Sequence, residues 1–383
     1  MDTLYIETPA ALTDLCNRLS GAEWIAIDTE FMRETTYYPK LCLLQVGIPG
    51  LAALVDPLAL DNLDPLLDLL YDPKVTKVLH ACRQDLEILF HMRGELPAPI
   101  FDTQIAAPLL GYQEQIGYAS LVEKRLNISV DKSHTRADWT HRPLSEAEQQ
   151  YAANDVIHLC ALYPELRSEL EERGRLAWLD DDFTALSDPA LYVNAPEKAW
   201  LRIKMINKFR GVQLAVLQAL AQWREQTAQN DNRPRNRLMR DDALGDIARM
   251  TPDDMESLAR IRGLHERLVK RYGKSILDLI KASRENEPKP LPAFKKPSKP
   301  SIEQEALVDL LNAVVHLRAA EQQLSPTQLA PRKQLQQLVM GSEDIELMRG
   351  WRKQLIGDEL RRVLSGELTI GVANGSLVVA PAA

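Results

Sequence analysis

Long apolar runs are missing from this chain of 383 residues. No segment approaches the roughly eighteen consecutive apolar residues of a membrane-spanning helix, so no membrane partner is expected. Cysteine is scarce: Cys16, Cys42, Cys82 and Cys160 form no C-x-x-C pair and no disulfide-like spacing. That leaves out a disulfide-stapled scaffold and fits a reducing cytoplasm. The opening MDTLYIETPAALTDL lacks a basic start followed by an apolar core, so no secretory leader is expected. Neither a phosphate-cradling glycine loop nor a nucleophile-elbow serine appears, which removes the usual signatures of nucleotide-triphosphate and serine hydrolases.

Positive charge is thin in the first half. Residues 1–200 hold 16 Lys and Arg against 32 Asp and Glu, a net −16; with −8 for the whole chain, the remainder carries +8. Such a division suits cations held by one part and a polyanion drawn to the other, although a solvated acidic surface is the plainer reading of the first half.

Short β-like runs (WIAIDTEF, LCLLQVGI, AALVD, KVLHA) alternate with helical patterns (TPAALTDLCNRLS, LDPLLDLLY, RQDLEILFHMR) between residues 3 and 125. They predict an α/β domain with a mixed sheet. From about residue 145 one long helix is expected, starting at a Ser145 cap and ending at Gly174. Helical periodicity then dominates. The expected organisation is a first domain at 1–190, a connecting segment at 191–210, a helical domain at 211–287, a proline- and lysine-rich linker at 288–301, and a second, diverged helical domain at 302–375.

Candidate chemistry begins in WIAIDTEF, where Asp28 and Glu30 share one strand face inside an apolar run. Uncompensated carboxylates in such a place cost several kcal/mol or take up a proton, and a divalent cation relieves both. A half-exposed strand face is the competing reading. Asp85 falls in the first turn of a helix, where it could simply favour the dipole. Asp155 lies mid-helix among apolar neighbours, and Tyr151 stands four residues before it, on the same helical face. Taken singly, this pair is a buried tyrosine with a partner. His80, at a strand end, reads as a core or supporting residue rather than a ligand, and Asp102 as a helix cap.

The ordered set D-x-E, then D, then Y-x-x-x-D resembles the DEDD superfamily of 3′-to-5′ exonucleases in its tyrosine-bearing branch. Gln150 stands where the histidine branch places its histidine. IAIDTEFMRETTYYPKLCLLQVG, KVLHACRQDLEIL and YAANDVIHL resemble the three motifs, and the likeness extends along the chain to the bacterial ribonuclease D family. Residues 211–286 resemble the HRDC domain, and 302–375 a diverged copy of it.

The resemblance implies an RNase H-like α/β exonuclease domain followed by two all-α HRDC-type domains. It further implies two divalent metal ions, Mg²⁺ or Mn²⁺, held by Asp28, Glu30, Asp85 and Asp155, with Tyr151 orienting the attacking water. Hard oxygen ligands suit those ions. The implied activity is stepwise removal of 5′-mononucleotides from an RNA with a free 3′ end, tRNA precursors included, by a monomer. The basic cluster Arg233, Arg235, Arg237 and Arg240 is expected to grip phosphates. Two other readings remain: a 3′-to-5′ DNA repair exonuclease, separable by preference for the 2′-hydroxyl, and an inactive RNA-binding scaffold, disfavoured by the complete carboxylate and tyrosine set.

Overall fold

Short, near-continuous apolar runs in roughly the first hundred positions build a six-stranded mixed sheet in the computed structural model, which describes residues 2–131, 133–135, 137–291 and 299–382. The strands are β1 (Asp2–Ile6), β2 (Trp24–Met32), β3 (Lys40–Ile48), β4 (Leu51–Val55), β5 (Thr76–Leu79) and β6 (Ile100–Asp102), in the order β1-β4-β3-β2-β5-β6. β2 runs antiparallel to β3 and parallel to β5. The mixed sheet matches the expectation; β1 and β6, both short, were not among the expected strands.

Period-two alternation sends β2 side chains to two different layers. Ile25 and Ile27 join Leu44, Val46 and the helices α1 (Pro9–Leu19), α2 (Asp64–Leu70) and α3 (Arg83–Arg93) in one core. Ala26 faces the other way, with Ala52, toward Val156 and Leu159. That second layer begins with the single turn α4 (Thr103–Ala106) and α5 (Tyr118–Leu126), and is dominated by α6 (Glu146–Glu172). Ser145 opens α6 with a reciprocal capping box to Glu148, satisfying two otherwise unpaired N–H groups. Gly47 in β3 lets α6 lie close: a β-carbon there would sit 2.9 Å from Cys160 Sγ and 3.2 Å from Val156 Cβ.

After α7 (Asp180–Leu186) the expected connecting segment proves to be part of a core. Trp200, Ile203, Ile206 and Phe209 recur every third residue, the 3₁₀ period, and are buried with Leu217, Leu244 and Ile276 of the helical domain. That domain comprises α8 (Gly211–Asn230), α9 (Arg235–Leu238), α10 (Asp241–Met250), α11 (Met255–Ala259) and α12 (Glu266–Ser283). Of the linker expected at 288–301, residues 292–298 lie outside the described residues. Before them, the Gln218 side chain holds Lys289 through both its backbone N–H (2.8 Å) and its carbonyl (2.9 Å).

The last helical unit starts with α13 (Ile302–Gln322), which buries Val308, Leu311 and Val315 in one core with Leu109, Leu162 and Leu166 of the first domain. Arg175 ties the two together by donating to the Leu109 and Gln322 carbonyls, each at 2.6 Å. Trp178 and Trp351 stack with centroids 4.6 Å apart. The second helical domain was expected to run to residue 375; instead, its end is taken up by a hairpin of β7 (Leu368–Ala373) and β8 (Ser376–Pro381). Asn374 and Gly375 supply the positive φ angles of 53° and 78° that such a tight turn demands.

Candidate active site

β2 pairs with β5 only as far as Ala26 opposite Val78, so Asp28 and Glu30 project past the end of β5. Alternation turns both toward α6, and there Asp155 meets them: one carboxylate oxygen from each of Asp28, Glu30 and Asp155 lies within 4.8 Å of the others. The strand periodicity of two and the helix periodicity of 3.6 converge on one point. Thr29 faces the opposite layer, where its hydroxyl donates to the buried Asp85 carboxylate at the start of α3. Asp85 therefore stands beside the strand rather than in the cluster of three.

Tyr151, one turn before Asp155 on α6, lines the same cavity of 220 Å³, together with His80, Tyr118 and Leu159. Trp139 and His134 flank its ring, at centroid distances of 6.0 and 5.8 Å. Tyr118 donates its hydroxyl to the Asp155 backbone carbonyl, fixing the helix at the acid cluster.

Burial dominates the electrostatics. It pushes Glu30 up to about 9, with Asp155 and Asp85 adding repulsion. Asp28 is pushed well above the usual carboxylate range by burial first and by Asp155, Asp85 and Glu30 after it. Burial also raises Asp85 and Asp155 to about 7 each. The groups that act most strongly on Asp28, Glu30 and Asp155 include no lysine or arginine among the described residues. The donor set is all carboxylate oxygen and its charge lacks a compensating side chain, which is the chemistry that hard divalent cations fit. Burial, then Asp155, raises Tyr151 to about 12, so its phenol keeps its proton at neutral pH.

Several residues here were not evident from the sequence or were underrated. Thr29 and Tyr118 carry no spacing signal of their own. Gln45 lies directly across from Asp28 in register, fully buried, with neither amide atom hydrogen-bonded among the described residues. His80 keeps one ring nitrogen unpaired inside the cavity. Asp102 is a cap, as its position suggested: its carboxylate accepts the Gln104 N–H (2.8 Å) and also those of Ala81 (3.0 Å) and Cys82 (2.9 Å).

The four arginines of the basic cluster separate. Arg233, Arg237 and Arg240 are exposed and border two adjoining grooves of 720 and 470 Å³, to which Arg267 and Arg271 add charge. Arg235 instead lies 3.7 Å from Glu225, a carboxylate buried at the junction with the first domain. There the Tyr37 hydroxyl donates to Glu225, and Asn232 accepts the backbone N–H groups of Tyr37 and Tyr38 at 3.0 and 3.1 Å. The segment following Asp28 and Glu30 is thereby clamped to the helical domain.

Residues 4–171 match the 3′-5′ exonuclease family and residues 213–280 the HRDC domain. Ribonuclease D of Zymomonas mobilis is 40% identical over 380 residues, covering 98% of this chain and 97% of that protein. Its counterpart from Gluconacetobacter diazotrophicus is 41% identical over 374 residues, 97% and 95% of the respective chains. Among solved structures, Escherichia coli RNase D, described as an exoribonuclease involved in structured RNA processing, superimposes with a TM-score of 0.80 at 33% identity, over 95% of this chain and 99% of that one.

Proposed function

Since the chain belongs to the ribonuclease D family of 3′-5′ exoribonucleases, we propose that Asp28, Glu30, Asp85, Asp155 and Tyr151 form a hydrolytic centre. That centre removes 5′-mononucleotides one at a time from the 3′ ends of structured RNAs, tRNA precursors among them. The observation that carries this reading is the convergence of Asp28, Glu30 and Asp155 in one cavity with Tyr151.

Asp28, Glu30 and Asp155 would hold one divalent cation, and Asp28 with Asp85 a second, Mg²⁺ or Mn²⁺ in either place. Bound there, such a pair supplies activation of water and neutralisation of charge on the departing oxygen. The side chains do the rest by orientation. Tyr151, protonated because its phenol sits at about 12, donates a hydrogen bond that aligns the attacking water and is no base at neutral pH. Thr29 holds the Asp85 carboxylate in one rotamer, and Tyr118 holds the backbone of Asp155. Water adds to the terminal phosphorus, the bond to the 3′ oxygen breaks, and the shortened strand leaves with a 3′-hydroxyl while the last nucleotide leaves with its 5′-phosphate.

The grooves bordered by Arg233, Arg237 and Arg240 lie in the basic part of the chain and would hold the body of the RNA by its phosphates. Digestion of matched 5′-labelled RNA and DNA oligomers with Mg²⁺, Mn²⁺ or EDTA tests the reading. A metal-dependent ladder shortening from the 3′ end, chiefly on RNA, is expected, with 5′-mononucleotides as the released product. Internal cleavage, or shortening from the 5′ end, overturns it.

A further inference from the structure

We infer that His80 reads the sugar of the terminal nucleotide, hydrogen-bonding its 2′-hydroxyl through Nε2 and so favouring RNA over DNA at the cleaved end. The inference rests on the exonuclease reading above and assigns a specificity role to a residue outside the carboxylate and tyrosine set.

Extending the β2–β5 register beyond Ala26 and Val78 puts position 80 beside position 28, and His80 lines the cavity that Asp28, Glu30, Asp155 and Tyr151 share. Its ring is fixed from behind. Nδ1 lies 2.9 Å from Thr103 Oγ1, and that hydroxyl lies within donating distance, 3.1 Å, of the Leu79 carbonyl. Tyr118 packs edge-on against the imidazole at a centroid distance of 5.4 Å. The following residue, Ala81, holds a φ of 57°, a left-handed conformation that a non-glycine residue adopts at a cost. The Asp102 carboxylate holds that turn by accepting the N–H groups of both Ala81 and Cys82.

All this support leaves Nε2 buried and without a hydrogen-bond partner. The Ile116 carbonyl, which accepts the Gln104 side-chain amide at 3.0 Å, also lies close enough to the His80 ring to raise its pKa, but it makes no well-aligned hydrogen bond to Nε2. A neutral imidazole nitrogen donates or accepts according to its tautomer, and a hydroxyl can answer either. Carboxylates and phosphate oxygens only accept. Because the acid cluster must face the last phosphodiester, the nucleotide part enclosed beside it is the terminal nucleoside, and ribose differs from deoxyribose there by one hydroxyl. A buried polar atom that loses its partner penalises the ligand lacking the group.

The test uses full-length protein with Mg²⁺ and two 5′-labelled RNA oligomers identical except for a ribose or a 2′-deoxyribose at the last position. Wild type is expected to favour the ribose end in kcat/KM by about tenfold. In His80→Phe, which keeps a ring and removes the nitrogens, the ratio should fall toward one, and in His80→Gln, which restores a polar atom, it should recover in part. A wild-type ratio near one overturns the inference. So does a ratio that stays at the wild-type value in His80→Phe while both rates fall, since a purely structural histidine would behave that way. If His80→Phe does not fold, the wild-type and His80→Gln ratios decide. Failure of the wild-type protein to shorten either oligomer would count against the exonuclease reading itself.

Discussion

Replacing Glu30 by Gln should stabilise the metal-free protein while abolishing turnover, and the size of the gain follows from the site. Glu30 is pushed up to about 9 from an ordinary 4.5, by burial first and then by Asp155 and Asp85. A carboxyl whose folded-state pKa is raised keeps its full contribution to stability below its unfolded pKa. It loses that contribution as pH rises toward the folded value, because the unfolded chain releases the proton and the folded chain retains it. At pH 5 the loss is under about 1 kcal/mol; it reaches about 3 kcal/mol at pH 7 and about 5 kcal/mol at pH 8 from this one group. Glutamine has the same shape and no charge to bury, so the variant lacks this part of the pH dependence. In EDTA at pH 8 its unfolding transition for the first domain should therefore lie about 10–20 °C above that of wild type, with little difference at pH 5. Differential scanning calorimetry at the two pH values measures this. An equal shift at both, or a lower transition for Glu30→Gln at pH 8, would refute the electrostatic reasoning.

Tyr151→Phe keeps the ring against Trp139 and removes the hydroxyl; kcat should fall roughly ten- to a thousandfold with little change in RNA affinity, and a kcat within twofold of wild type would make Tyr151 a packing residue. Arg233→Ala with Arg237→Ala should reduce the log-log salt dependence of RNA binding by about 0.7 for each phosphate no longer neutralised, with KM for structured RNA rising more than kcat falls. An unchanged salt slope would remove these grooves from the RNA path. Lys77→Met should destabilise the first domain by about 2 kcal/mol, since the fully buried Nζ donates to the carbonyls of Asp72 (3.1 Å), Val75 (2.6 Å) and Ala98 (2.6 Å). A melting curve that does not move would show those carbonyls to be satisfied without it.

Much of the candidate site was legible because it is local. Two residues on a strand, or four on a helix, fix a shared face whatever the tertiary structure, so the D-x-E and Y-x-x-x-D pairs could be read directly. The Ser145 and Asp102 caps were readable for the same reason. Features that depend on partners far along the chain were not. Thr29 becomes relevant only because α3 brings Asp85 beneath it, and Gln45 only because β3 lies antiparallel to β2. His80 reads as a satisfied core residue because its strand-end position cannot reveal that one nitrogen is tied to Thr103 and the other is free. Arg235 looks equivalent to its three neighbours in sequence, yet the buried Glu225 turns it toward the domain junction. The segment at 191–210 reads as a connector when a helical period of 3.6 is sought, whereas its apolar residues recur with a period of three. The terminal hairpin falls across the end of the range expected to be helical, although Asn374-Gly375 is a strong turn signal.

The most direct measurement of the central claim, that the Asp28, Glu30 and Asp155 cluster is the cation-dependent centre of a 3′-5′ exoribonuclease, is single-turnover hydrolysis of a 5′-labelled RNA by Asp28→Asn at saturating Mg²⁺. Wild type in EDTA serves as the floor, and the fold of the variant is verified by its melting transition. Asp28 lies in the carboxylate cluster and is repelled by all three other acids, so neutralising it should bring the rate down to the EDTA floor while leaving the fold intact. A folded Asp28→Asn protein that retains more than a few per cent of the wild-type rate would contradict the account.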